Sequence, residues 1–164
     1  GTLMLRDSVR LDSGSDTVTD CMSIVYPKKL SPVHFIKLEL KDGNKIIADN
    51  FYWRGNKYQE YSDLSNMLPA DLQYSLYREK SGGFLTVDIK NAGKNIALMT
   101  RLKVLRDRSK ERVLPVYYSD NYFSLLPGET KQVILEFNAK DLQGENPVLG
   151  IEGWNIDYME IVEF

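Results

Sequence analysis

The feature that most constrains this chain is a hydrophobic period of two. Between Phe84 and Lys90, Leu85, Val87 and Ile89 alternate with Thr86, Asp88 and Lys90. Lys131 to Asn138 repeats the pattern, with Val133, Leu135 and Phe137 set against Gln132 and Glu136. Ile36, Leu38 and Leu40 do the same against Lys37 and Glu39. Residues i and i+2 share a face only in an extended strand, so such segments gain a dry face as β structure and would scatter it around a helix. The expected fold is all-β, with antiparallel strands that are dry on one face and wet on the other, as in a sandwich. Turn-forming residues fall between these segments. Asp42-Gly43-Asn44 is expected to close a hairpin between residues 35–40 and 45–53, and Asn91-Ala92-Gly93-Lys94 to separate the Phe84 strand from one over 95–105. Pro127-Gly128 suits the centre of a type II turn, where proline presets φ and glycine accepts a positive one. Only Tyr61 to Leu68 reads as a short helix, ended by Pro69.

The apolar pattern breaks at Arg54-Gly55-Asn56-Lys57, which divides the chain into residues 1–57 and 58–164. The second piece holds six or seven candidate strands in about a hundred residues, the size and strand count of an immunoglobulin-like β-sandwich. The first offers three candidate strands and no disulfide to staple them, too little for a core of its own. It is therefore expected to be a partial β-sandwich whose chain begins inside a domain, with open edges that pair, lean on the second piece or stay mobile. Cys21, the single cysteine, cannot form an internal disulfide and reads as a small buried hydrophobe. With 21 basic against 23 acidic residues there is no case for nucleic acid as a partner. No run approaches the ~20 apolar residues of a membrane span, so no membrane partner is expected, and Gly1 to Arg10 has no leader pattern.

The residues of enzymatic sites are scarce. A serine or cysteine triad needs a histidine base, and the one histidine, His34, opens an alternating strand with its ring toward the polar side, a hairpin-end position. One His and one Cys make no zinc pattern, and there is no Gly-x-Gly-x-x-Gly or Walker-type loop. No catalytic residue, metal site or cofactor is expected. A carboxylate pair could still be assembled by the fold, but Glu39, Asp88 and Glu136 fall on wet strand faces. The informative residues are aromatic and amide side chains near turns: Asn50 to Trp53, Tyr117 to Phe123, and Gly153-Trp154-Asn155. Rings with adjacent amides hold sugars by stacking and hydrogen bonding. The same residues also close sandwich ends and domain interfaces, with Asn and Asp bonding strand-end backbone, and this is the favoured reading. Tyr118, Asp120, Asn121, Trp154 and Asn155 are the candidates for either a sugar or an interdomain contact.

Two stretches carry a resemblance. Phe35 to Asp42 with Asp49-Asn50-Phe51-Tyr52-Trp53 resembles the last strand pair of the fourth domain in family 2 glycoside hydrolases of the exo-β-glucosaminidase, β-mannosidase and β-galactosidase type. Val113 to Thr130, with its Tyr-Tyr-Ser-Asp-Asn-Tyr-Phe run and Pro127-Gly128-Glu129 turn, followed by Gly153-Trp154-Asn155, is similar to their C-terminal immunoglobulin-like domain. The resemblance implies that residues 1–57 are the C-terminal part of a preceding immunoglobulin-like domain plus linker, and that 58–164 are the C-terminal sandwich. It also implies a parent retaining glycosidase whose active site lies in a (β/α)8 barrel. The expected partners are the parent's other domains, chiefly that barrel, with an oligosaccharide as the alternative, and the implied compartment is periplasmic or extracellular. Ile156 to Phe164 departs from the family pattern and alternates as an extra edge strand would.

Overall fold

The alternation becomes ten strands in the computed structural model, which describes residues 1–55, 60–78 and 83–162. Those residues fall into two units, Gly1–Ser65 and Asn66–Phe164. The boundary expected between Lys57 and Tyr58 lies outside the described residues, as do Glu163 and Phe164 at the end of the tail.

In the first unit, β1 (Val33–Asp42) and β2 (Lys45–Gly55) form an antiparallel hairpin. Asp42 pairs with Lys45 around Gly43-Asn44, and φ is +57° at Gly43, as the first central residue of a type II′ turn requires. Two strands form where three were expected, because residues 1–32 adopt no strand or helix. Among these residues only Pro27 and Leu30 are partly buried, and the rest are exposed. Cys21 is consequently exposed rather than buried, since its segment has no core to enter. A 3-10 helix over Glu60–Asn66 takes the place of the short helix read in the sequence.

The second unit is the sandwich. Its strands are β3 (Leu72–Arg78), β4 (Phe84–Asn91), β5 (Ala97–Arg106), β6 (Val116–Tyr118), β7 (Phe123–Leu125), β8 (Thr130–Phe137), β9 (Pro147–Gly153) and β10 (Ile156–Ile161). One sheet has the order β3-β4-β8-β6 and the other β10-β9-β5-β7, with every pairing antiparallel. Leu85, Val87 and Ile89 of β4 and Val133, Leu135 and Phe137 of β8 turn inward together, because directly paired residues share a face. They meet Leu102 and Val104 of β5, Leu149 and Ile151 of β9, and Phe123 and Leu125 of β7. Burying each aliphatic side chain contributes about 1.5–3 kcal/mol, so this inner layer is the main source of the unit's stability. Leu126 to Glu129 forms the expected turn, with φ +83° at Gly128 and the Glu129 N–H donating to the Leu126 carbonyl at 3.1 Å. The tail makes the edge strand β10.

Candidate functional site

Strand β5 organises most of the candidate residues. Its pairing with β7 slips between Ala97 and Thr100, where Met99 takes a φ of +54°. Such a bulge swings one residue's peptide groups away from the neighbouring strand. The freed groups are those of Leu98, and the β9–β10 turn takes them: Trp154 N–H donates to the Leu98 carbonyl at 2.9 Å, and Leu98 N–H donates to Asn155 Oδ1 at 3.0 Å. Asn155 Nδ2 then donates to the carbonyls of Leu68 and Ile96, both at 2.8 Å. Farther along, β7 is too short to reach Leu102, and Asn121 stands in for its next residue. Leu102 N–H donates to Asn121 Oδ1 at 2.8 Å, and Asn121 Nδ2 returns a bond to the Leu102 carbonyl at 3.0 Å. Both candidate amides are thus spent on backbone that would otherwise lie unpaired at the sandwich ends. Asn91 does the same at the β4–β5 turn, bonding the carbonyls of Asn95 and Leu125 and the Gly93 N–H.

The other candidates do not converge on one cleft. Asp120 accepts from the Asn121 N–H at 2.7 Å and forms an ion pair with Lys131. Tyr118 belongs to the opposite sheet, half-buried against the core, where burial pushes its phenol pKa up against the opposing pull of Arg112. Trp154 is 51% exposed in its turn. Leu98 and Leu102 are four residues apart on β5, so the Asn155 and Asn121 positions lie roughly 13 Å apart along the strand.

A group that alternation alone did not single out covers the outer face of the β10-β9-β5-β7 sheet. Arg101 lies 5.5 Å from the centre of the Tyr122 ring and bonds Glu152 at 3.0 Å, and Lys103 reaches the same carboxylate at 2.7 Å. Lys103 also sits 4.8 Å from the Tyr158 ring centre; Tyr158 donates to Glu160 at 2.8 Å, and Glu160 pairs with Lys110 at 2.6 Å. The Tyr158 ring lies so close over Gly150 that a Cβ there would meet it at 3.2 Å. Bonds from Lys103 hold the Glu152 pKa low, and those from Lys110 and Tyr158 hold Glu160 low. Burial of the hydroxyl, joined by the Glu160 carboxylate, pushes the Tyr158 phenol up to about 12. The signal was present in the sequence as Arg-x-Lys, a lone Glu and Tyr-x-Glu on three strands, but only the register shows that they face one another.

In the first unit His34 stands at the open end of the hairpin as expected, paired with Arg54, but its ring is not turned to solvent. Its ring packs edge-on against Tyr26 with centroids 5.5 Å apart, and both ring nitrogens are shielded from solvent without a hydrogen-bond partner among the described residues. The reason is the coil before β1, which folds Tyr26, Pro27, Lys28 and Leu30 beside His34 and Arg54 around a cavity of about 390 Å3. Among the described residues no three His, Cys, Asp or Glu side chains gather where they could hold a metal ion.

The sequence pattern of the exo-β-D-glucosaminidase Ig-fold domain matches residues 50–156. The chain belongs to this family. Exo-β-D-glucosaminidase from Amycolatopsis orientalis is 40% identical over 154 residues, covering 77% of this chain and 14% of that protein. A mannosylglycoprotein endo-β-mannosidase from Lilium longiflorum is 37% identical over 75 residues, 42% of this chain and 8% of that protein. The crystal structure of Amycolatopsis orientalis exo-chitosanase CsxA superposes with a TM-score of 0.71 at 26% identity, over 83% of this chain and 19% of that one. The Ig-fold chain therefore spans less than a fifth of each of these relatives.

Proposed function

We propose that this chain is a non-catalytic accessory part of a family 2 glycoside hydrolase that cleaves β-linked glucosaminides, mannosides or galactosides, and that its sandwich braces the rest of the enzyme. The observation that carries the reading is the use of Asn121 and Asn155: the amides best placed to hold a sugar are spent on the backbone of β5. In this reading residues 1–57 complete a preceding immunoglobulin-like domain and 58–164 form the C-terminal one. The β1–β2 hairpin supports it, since a two-stranded ribbon is marginal alone and this one leaves Leu38 and Leu40 exposed on one face. The retaining chemistry belongs to a parent (β/α)8 barrel, and the parent works in the periplasm or outside the cell.

The test compares this chain with its full-length parent on chitosan, mannan and galactan oligosaccharides. The expected result is hydrolysis by the parent alone and no heat of binding to the 164-residue chain. Hydrolysis by the chain itself would sink the reading. Micromolar to millimolar binding that disappears in Trp154→Ala would instead support a carbohydrate-binding module, which the exposure of Trp154 and Tyr122 favours.

A further inference from the structure

The cavity beside His34 lies wholly within the first unit. Arg54 is the register partner of His34 across the β1–β2 ladder, and directly paired residues share a face, so the two side chains leave the ribbon on one side and both line the cavity. Lys28 comes from the turn Pro27-Lys28-Lys29-Leu30, closed by the Leu30 N–H donating to the Pro27 carbonyl at 3.1 Å. Ser31 Oγ then donates to the Val33 carbonyl at 2.6 Å, which ties this turn to the start of β1. The charges around the cavity have one sign. None of the residues lining it is acidic, and no Asp or Glu occurs between Asp20 and Glu39. Among the described residues neither Lys28 nor Arg54 has a carboxylate partner. The whole chain carries a net charge of −2, so this positive patch runs against its balance. His34 adds an orphan donor, since neither ring nitrogen has a partner among the described residues. Buried polar groups left in that state mark a place where water, an ion or a ligand belongs.

We infer that this cavity binds a small oxyanion, a carboxylate or phosphate group on a body no larger than one sugar ring. Arg54 offers a planar fork of N–H donors that matches two oxygens, and Lys28 offers a compact ammonium. Even a neutral imidazole has one N–H to give, and His34 reaches a further oxygen once the Tyr26 ring turns off it. Tyr26 is 51% exposed and holds no hydrogen bond among the described residues, so its ring gives up the edge-on contact with His34 and little else. Size points the same way. About 390 Å3 is more than a bare phosphate needs and falls at the small end of organic ligand sites, roughly 300–1,000 Å3. Water alone would satisfy the imidazole and leave both cations unpaired. A metal ion would be repelled by those cations and would find no further ligands among the described residues. The site stands apart from the accessory reading, whose sugars are neutral or cationic.

The test is an NMR titration of the 164-residue chain with inorganic phosphate and with glucuronate, at constant pH and ionic strength, with glucose as the neutral control. His34 is the single histidine, so its imidazole signals identify themselves. Saturable shifts of that ring and of the Arg54 side-chain N–H are expected with an anion at millimolar concentration and not with glucose. Tighter binding of glucuronate would assign the site to a sugar-borne carboxylate, and tighter binding of phosphate to a phosphate group. Arg54→Gln and Lys28→Gln should each weaken binding about tenfold, the loss of one charge-assisted hydrogen bond. Lys45→Gln, at the turn end of the hairpin, should leave it unchanged. The unaltered chain decides independently of any variant: no shift with either anion, or an equal shift with glucose, would overturn the inference. Unchanged affinity in both Arg54→Gln and Lys28→Gln would overturn it as well.

Discussion

Replacing Asn155 by alanine removes three side-chain hydrogen bonds at one point. Leu98 N–H loses its acceptor, and the carbonyls of Ile96 and Leu68 lose their donor. Ile96 and Leu98 are buried, at 9% and 1% exposure, so their peptide groups cannot readily find water, while Leu68 is 67% exposed and its carbonyl can. A buried group left without a partner costs about 1–3 kcal/mol. Two such groups give an expected destabilisation of about 2–4 kcal/mol, allowing for partial relaxation. At ~4–8 °C per kcal/mol for a domain of this size, the sandwich should melt roughly 8–32 °C lower. Calorimetry and urea unfolding of the 164-residue chain followed by circular dichroism would measure both, with an unchanged urea slope showing that the unfolded state is the same. A loss below about 0.5 kcal/mol, less than one ordinary net hydrogen bond, would refute the argument that this amide is committed to β5. It would then be free for a ligand.

Three further outcomes follow from the same geometry. Thr100 is fully buried and its hydroxyl has no partner among the described residues, so Thr100→Val should raise stability by about 1 kcal/mol in urea unfolding. A Cβ at Gly153 would stand 2.4 Å from Ile156 Cδ1 and 3.0 Å from the Leu98 carbonyl oxygen, so Gly153→Ala should destabilise the sandwich by about 1–3 kcal/mol, read as a lower melting temperature. Tyr158 titrates near 12 in the folded chain against about 10 when unfolded. Its contribution is fully present below pH 10 and is lost as pH rises through about 12. Ultraviolet titration should show a tyrosine ionising near pH 12, and Tyr158→Phe should remove that step.

The strands legible in the sequence are those with one wet face. Residues 84–90 and 131–138 announced themselves because Asp88, Gln132 and Glu136 really do face water. Strand β9 was not legible: Pro147 to Ile151 is buried throughout, so no polar residue marks every second position. Strands β6 and β7, three residues each, are too short for any period. The candidate residues were found by type, as rings and amides beside turns, and their partners were out of reach because a bond from Asn155 to Leu98 spans 57 positions. The coil around His34 had no pattern to read.

The bulge in β5 also sets an order of assembly. Strand β5 leaves the ribosome well before its last partners: Asn121 follows Leu102 by 19 residues, and Asn155 follows Leu98 by 57. Until the turn at Trp154 has been synthesised, the peptide groups of Leu98 have only water to bond, and the inner layer of that sheet cannot close over them. Distant pairings of this kind slow folding, because the intervening chain must be gathered before any contact rewards it. They also join the two ends of the sandwich into one cooperative event, so the amides of Leu98 and Leu102 should exchange with deuterium together and late. A nascent chain halted anywhere in β9 carries every strand of the β3-β4-β8-β6 sheet but lacks β10 and the turn that serves Leu98, so a chaperone would meet one sheet whose inner face is not yet fully covered.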